Sequence, residues 1–245
     1  MTIAFRITEV PSIDSTNSAL CARAAAGEPQ GLVLRADHQT AGRGRRGRSW
    51  DAPEGNLYVS LLLRPDCLPA EAATVGFVSA IALGRVLRDL TPAEVLHKWP
   101  NDLLVNGAKM SGILLEAGSK LDGKLDWLVL GIGVNIRAHP ELPNYLTTDL
   151  VASGGPSISP RALLDRFLEA FRPAYDAWEQ GGFPAIRTDW MAHAAGIGQR
   201  VVARLEREEI AGSFADLDPE GAMIMQLDSG QQRRIAAGDV FFPNL

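Results

Sequence analysis

The chain has 245 residues, 46% of them hydrophobic and 22% charged, with a formal net charge of −5. That length buries a sizeable core and suits one large domain or one domain with a small appendage. The acidic balance argues against a nucleic-acid binder that works through a basic face, and apolar runs such as LYVSLLL fall short of the roughly 20 residues a membrane helix needs. Cys21 and Cys67 lack CxxC spacing, and His38, His97, His139 and His193 lack ligand spacing, so neither a disulfide framework nor a protein-ligated transition metal is expected. With no secretory leader at Met1, the reading is a cytoplasmic protein with no membrane and no nucleic-acid partner.

In chain order, STNSALCARAAAG has capping residues, then helix formers, then Gly27 where a helix would stop. Ser15, Thr16 and Asn17 therefore stand at a helix N-terminus. GLVLRADHQ and NLYVSLLLRP read as strands, with GRGRRGR, residues 42 to 48, inserted between them. Its glycines permit close backbone approach, and Arg43, Arg45, Arg46 and Arg48 supply planar, permanently charged donors. Taken alone, the loop fits a solvated basic segment as well as an anion site. It occurs once and is flanked by strands, unlike an RGG-type nucleic-acid tract.

Residues 74 to 90 repeat apolar side chains at helical spacing (Val75, Val78, Ile81, Val86, Leu90), which predicts a core helix. Pro100 biases Trp99 towards an extended backbone, placing Asn101 and Asp102 in a turn before the next strand. Asn106-Gly107 joins two apolar runs in a type I′ hairpin, which holds Lys109 on a ribbon. LDWLVLGIGVNI is a further strand; its GIGVN lacks the last glycine and the helix of a dinucleotide fingerprint. Residues 144 to 158 form a loop. A helix capped by Ser159 and started by Pro160 runs to about Glu179, kinked at Pro173, with a short helix near 184 to 194. From about Gln199 short strands and tight turns predict a small SH3-like β-barrel, with the boundary near Gly196 to Gln199.

STN at 15 to 17, QTAGRGRRGRSW at 39 to 50, KWPNDLLVNGAKMSGILLE at 98 to 116 and GIGVNI at 131 to 136 together resemble the biotin protein ligases, in family order and over essentially the whole chain. The resemblance implies an α+β fold, with a class II synthetase-like mixed or antiparallel sheet flanked by helices. It divides the chain into a biotin- and ATP-binding domain, 1–197, and a C-terminal SH3-like domain, 198–245. It implies ATP-dependent formation of biotinyl-5′-AMP, with magnesium whose ligands it does not name, and transfer of biotin to a lysine of a biotin carboxyl carrier protein domain.

By the same resemblance, Ser15, Thr16, Asn17 and Gln39 face the bicyclic ring of biotin. Arg43 and Arg45, with Gly42 and Gly44 beside them, hold biotin and the developing adenylate. Lys109 grips the carboxylate and α-phosphate, and Gly112, Gly131 and Gly133 let the sheet approach the valeryl chain. Arg46 and Arg48 meet pyrophosphate, Trp50 walls the adenylate pocket, and Asn135 contacts adenine. Asn101 and Asp102 orient phosphate or magnesium. Such a loop is expected to be mobile without ligand and to close over the adenylate. Only about a dozen residues precede STN, so no helix-turn-helix repressor domain is expected there. A sheet edge of the kind that pairs with a second copy, giving a homodimer, or with the carrier domain is implied without a choice between them. Competing readings are a lipoate or octanoate ligase on a related fold, a nucleic-acid module using the arginine loop, and a biotin sensor that has lost catalysis.

Overall fold

The computed structural model describes residues 3–142 and 145–242; Asn144 of the expected loop and the outermost residues of both expected domains, 1–2 and 243–245, lie outside them. Seven strands form one sheet: β1 Arg6–Ile13, β2 Leu32–Gln39, β3 Leu57–Leu63, β4 Val95–Lys98, β5 Asp102–Val105, β6 Ala108–Ser119 and β7 Leu125–Val134. Their spatial order is β1-β2-β3-β7-β6-β5-β4, with β1 and β2 parallel and the other pairs antiparallel. Two of these strands are not visible in the sequence pattern. β1 is a largely polar edge strand containing Pro11, a residue that edges tolerate because its missing N–H faces outward. β4 is four residues long and ends in His97 and Lys98, polar by type yet buried. Asp102 opens β5 rather than lying in the preceding turn, because it pairs across to Lys98 and Gly112. Asn106 at φ 47° and Gly107 at φ 79° form the expected type I′ turn.

Side-chain alternation assigns the two faces. On one, Val33, Val59, Leu61, Leu130, Ile132 and Ile113 pack against α3 Val75–Leu90 and α4 Pro160–Met191. On the other, Leu34, Leu62 and Val129 meet Leu20 and Ala24 of α1 Thr16–Ala25. α1 covers one end of that face, which leaves Ser60, Gly112, Gly131 and Gly133 beneath the site described below. Ser15 caps α1 by accepting the Ser18 amide, and Gly27 at φ 89° ends it.

Two expectations change. Pro173 keeps helical backbone angles, and the break in α4 falls at Gly182, at φ 63° and ψ −160°, where only glycine relaxes. Gly182 thus separates two helical stretches, as the sequence predicts, and only the position of the break differs. The longest apolar stretch is also longer than the sequence runs indicate: Pro69–Leu90, 22 residues comprising α2 Pro69–Ala72 and α3, contains an 18-residue window apolar enough to cross a membrane, but 78% of that window is buried inside the fold. The arginine loop is folded around a 3-10 turn at Arg45–Gly47, bridged from Arg43 to Ser49 and anchored by Asp239 and Asn101.

A second, five-stranded antiparallel sheet, in the order β11-β10-β9-β8-β12, contains β8 Arg200–Arg204, β9 Glu209–Leu217, β10 Met223–Gln226, β11 Gln232–Ile235 and β12 Asp239–Phe241. It is fastened to the first sheet through Trp99, whose indole N–H donates to the Gly221 carbonyl at 3.0 Å. The β4 edge of the large sheet is covered by the turn that follows α4: the His97 amide donates to the His193 carbonyl at 2.7 Å, and the Ala195 amide to the His97 carbonyl at 2.8 Å. His97 Nδ1 lies 3.1 Å from the Trp190 carbonyl, and burial pushes the imidazole down to about 3. The folded protein thus resists a proton that the unfolded chain accepts below its ordinary value near 6.5. Stability from this group is complete above pH ~6.5 and is lost as the pH falls towards 3, at up to ~1.4 kcal/mol per pH unit. Urea midpoints at pH 7 and pH 5 should separate more in the wild type than in His97→Gln; equal separations would show that His97 does not govern the effect.

Candidate active site

A cavity of about 830 Å³ lies over the uncovered part of the large sheet, bounded by the arginine loop and by the ends of β8 and β12. Of the residues singled out in the sequence, all but Gly42 line it. Gly42 lies behind the lining, where a Cβ would stand 2.4 Å from the Trp50 carbonyl oxygen.

One end is neutral and polar. The Thr16 amide and hydroxyl donate to Gln39 Oε1 at 2.8 and 3.1 Å. Ser60 Oγ lies 2.8 Å from Thr16 Oγ1 and 2.6 Å from Asn17 Oδ1, while Asn17 Nδ2 donates to Glu116 Oε2 at 2.9 Å. The helix cap positions this group, since Ser15, Thr16 and Asn17 are all buried in the first turn of α1. Gly131 is required here: its Cβ would stand 2.1 Å from Asn17 Oδ1.

The other end is cationic. Arg45 Nη1 donates to Asn101 Oδ1 at 2.9 Å, and Asn101 Nδ2 donates to the Ile113 carbonyl at 2.8 Å. Both ends of the Asn101 amide are therefore engaged, and its observed work is to hold Arg45. Lys109 Nζ lies 2.7 Å from Asp102 Oδ1, an ion pair without hydrogen-bond geometry, and 5.5 Å above the Trp50 ring. The Lys109 backbone is tied on both sides, donating to the Leu146 carbonyl at 2.7 Å and accepting from the Thr148 amide at 3.0 Å. Asn135 Nδ2 donates to the Thr148 carbonyl, while its buried Oδ1 has no partner among the described residues.

Trp50 lies against two of these glycines. Its indole lies flat where Cβ atoms on Gly112 and Gly133 would stand, 2.8 and 2.6 Å from ring atoms. In this structure those glycines make room for an aromatic side chain, and Gly131 makes room for Asn17.

Four participants have no local signal in the sequence. Asp239 of β12 receives Arg48 at 3.0 Å and Arg45 and Arg46 at 3.8 Å, so the small sheet supplies the counter-charge for three arginines of the loop. Glu116 pairs with Arg43 at 2.9 Å. Ser60 bridges the polar end, and Tyr145 lines the cavity. Among the C-terminal arginines, Arg204 lines the cavity and lies over Phe241, whereas Arg233 and Arg234 pair with Glu208, Asp218 and Glu220.

Neutral hydrogen-bonding groups at one end and clustered cations at the other define a protein that holds a polar organic acid against a polyanion. Comparison with known proteins makes this specific. Residues 9–135 match the Biotin/lipoate A/B protein ligase family, and residues 196–242 match the Biotin protein ligase C terminal domain. The chain is 37% identical over 240 residues to a biotin–[acetyl-CoA-carboxylase] ligase of Paracoccus denitrificans, covering 94% of this chain and 97% of that one. It is 33% identical to the Mycobacterium tuberculosis enzyme of the same name, over 94% of this chain and 86% of the other. A biotin protein ligase from Aquifex aeolicus, solved with biotin and ATP, superposes with a TM-score of 0.81 at 26% identity, covering 96% of this chain and 97% of that one. The protein belongs to the biotin/lipoate A/B protein ligase family.

Proposed function

We propose that the protein activates biotin with ATP to biotinyl-5′-AMP and transfers biotin to a lysine of a biotin carboxyl carrier domain. The observation that supports this best is Lys109, fixed on a strand where the neutral polar end of the cavity meets the cationic end. In the first step the biotin carboxylate attacks the α-phosphorus of ATP and pyrophosphate leaves. In the second, the carrier amine attacks the anhydride carbonyl and AMP leaves. Both reactants of the first step are anions, so the protein's task is to neutralise and align them.

Ser15, Thr16, Asn17 and Gln39 offer the donors and acceptors that a ureido ring requires. Arg43 and Arg45 serve biotin and the adenylate, Arg46 and Arg48 the departing phosphates, and Lys109 the carboxylate and α-phosphate. Trp50 walls the adenylate, and the unpartnered Asn135 Oδ1 suits an exocyclic amine such as that of adenine. Asp102, which lines the cavity, would hold magnesium, a hard cation that takes one or two carboxylates together with substrate phosphates. The metal would neutralise phosphate charge. In the same reading residues 1–197 form the catalytic unit and 198–245 an appended domain that anchors the loop through Asp239.

With biotin, ATP and magnesium, the protein should release pyrophosphate and add biotin to a carrier domain, read as a mass shift. Calorimetric titration with biotin and with lipoate separates the family's two substrate classes. Binding of lipoate alone would overturn the assignment.

A further inference from the structure

We propose that Lys98, which ends β4 beside the cavity, is the binding cation for the pyrophosphate end of ATP, in a subsite walled by Tyr145, Phe241 and Phe242. This inference rests on the adenylation reading above.

Lys98 is only 7% exposed. Its ammonium lies 4.6 Å from the Tyr145 ring centroid, 5.6 Å from that of Phe242 and 5.8 Å from that of Phe241. Two of those rings, Tyr145 and Phe241, also line the cavity, so the ammonium lies next to it. No carboxylate among the described residues lies within ion-pair distance of it, in contrast with its neighbours. Arg43 is matched by Glu116, Lys109 by Asp102, and the three remaining loop arginines by Asp239. Asp102 and Asp239 act on Lys98 only from longer range, opposed by Lys109 and Arg48, while burial pushes its ammonium below the ordinary lysine value.

An uncompensated buried ammonium is costly, and proteins usually pair it with an acid. Aromatic faces stabilise a cation without contributing net negative charge. A carboxylate partner would neutralise Lys98 and compete with an incoming phosphate, whereas a cage of rings leaves its whole charge available. The triphosphate is the most highly charged part of the proposed substrates, and its β- and γ-phosphates depart as pyrophosphate. A cation held this way attracts that end of ATP and the leaving group, and it has no partner to lose when the product departs.

The test uses the full chain with Lys98→Met, which keeps the stem and removes the charge. Inorganic pyrophosphate titrated calorimetrically should bind the wild type and bind the variant about tenfold more weakly or worse. The KM for ATP in biotin-dependent pyrophosphate release should rise comparably, while biotin affinity and transfer from added biotinyl-5′-AMP to the carrier stay within about twofold, since neither involves the β- or γ-phosphate. The thermal midpoint should hold or rise, as it does when an unpaired buried charge is replaced by an apolar group. Lys98→Gln is the second variant should Lys98→Met fail to fold, with the same losses expected. Unchanged pyrophosphate affinity, or equal losses in both half-reactions with a lower thermal midpoint, would overturn the proposal and make Lys98 a structural pin. Pyrophosphate binding through Lys98 in a protein that does not turn over biotin would instead retain the subsite and refute the adenylation reading.

Discussion

Replacing Lys109 with alanine is expected to slow biotin-dependent pyrophosphate release by roughly 10²- to 10³-fold, the scale for removing one preorganised charge that meets a developing charge. Biotin affinity should fall much less, because the ring end of the cavity, built from Thr16, Asn17, Gln39 and Ser60, lies on other elements. Single-turnover release of pyrophosphate measures the first effect and calorimetry the second. The substitution also leaves Asp102 without its cation, at 11% side-chain exposure, which costs stability on the order of 1–3 kcal/mol. Lys109→Ala combined with Asp102→Asn should regain stability and no activity. A single variant with a release rate within about threefold of wild type would remove Lys109 from the chemistry.

The second large effect concerns a methyl group. Gly131→Ala puts a Cβ 2.1 Å from Asn17 Oδ1, a separation that real atoms do not tolerate, so Asn17 must swing away from both Ser60 and Glu116. The polar end then loses its order. Biotin binding is expected to weaken about tenfold to a hundredfold, with a stability loss of ~1–3 kcal/mol from the crowded contact. Gly76→Ala is the control. Its Cβ would meet only Leu115 Cδ1 at 3.5 Å, an ordinary contact in the first turn of α3, and alanine favours a helix over glycine by ~0.5–1 kcal/mol. That variant should bind biotin normally and unfold no more easily than the wild type. Equal biotin affinity in the Gly131 and Gly76 variants would show that Asn17 does not organise the ring end.

Both results depend on which neighbours a residue has, and that is where sequence and structure part. Local signals placed the Ser15 cap, the Asn106-Gly107 turn, the core helix at 74 to 90, and the change to short strands near residue 199, because each is decided by a few adjacent side chains and their backbone preferences. The motifs KWPND and GRGRRGR drew attention to the residues that line the cavity for a similar reason: unusual local chemistry is visible without a fold. β1 and β4 escaped because an edge strand and a four-residue strand show little alternation. Pro173 misled because a proline signals a local cost, while the joint in α4 went to Gly182, where the chain needed a positive φ.

The sequence by itself determined that a glycine- and arginine-rich loop, a capped helix start and a hairpin lysine occur in one chain, along with the resemblance that joins them. Only the tertiary structure decided the pairings. Asp239 meets the loop from a strand about 190 residues away, Glu116 takes Arg43, the Trp50 ring covers Gly112 and Gly133, and Lys98 is left with aromatic rings and no acid. A carboxylate or a phenylalanine carries no local mark of the partner it will meet. Its charge or its ring acquires a role through separation and burial, and both are set by how the two sheets pack.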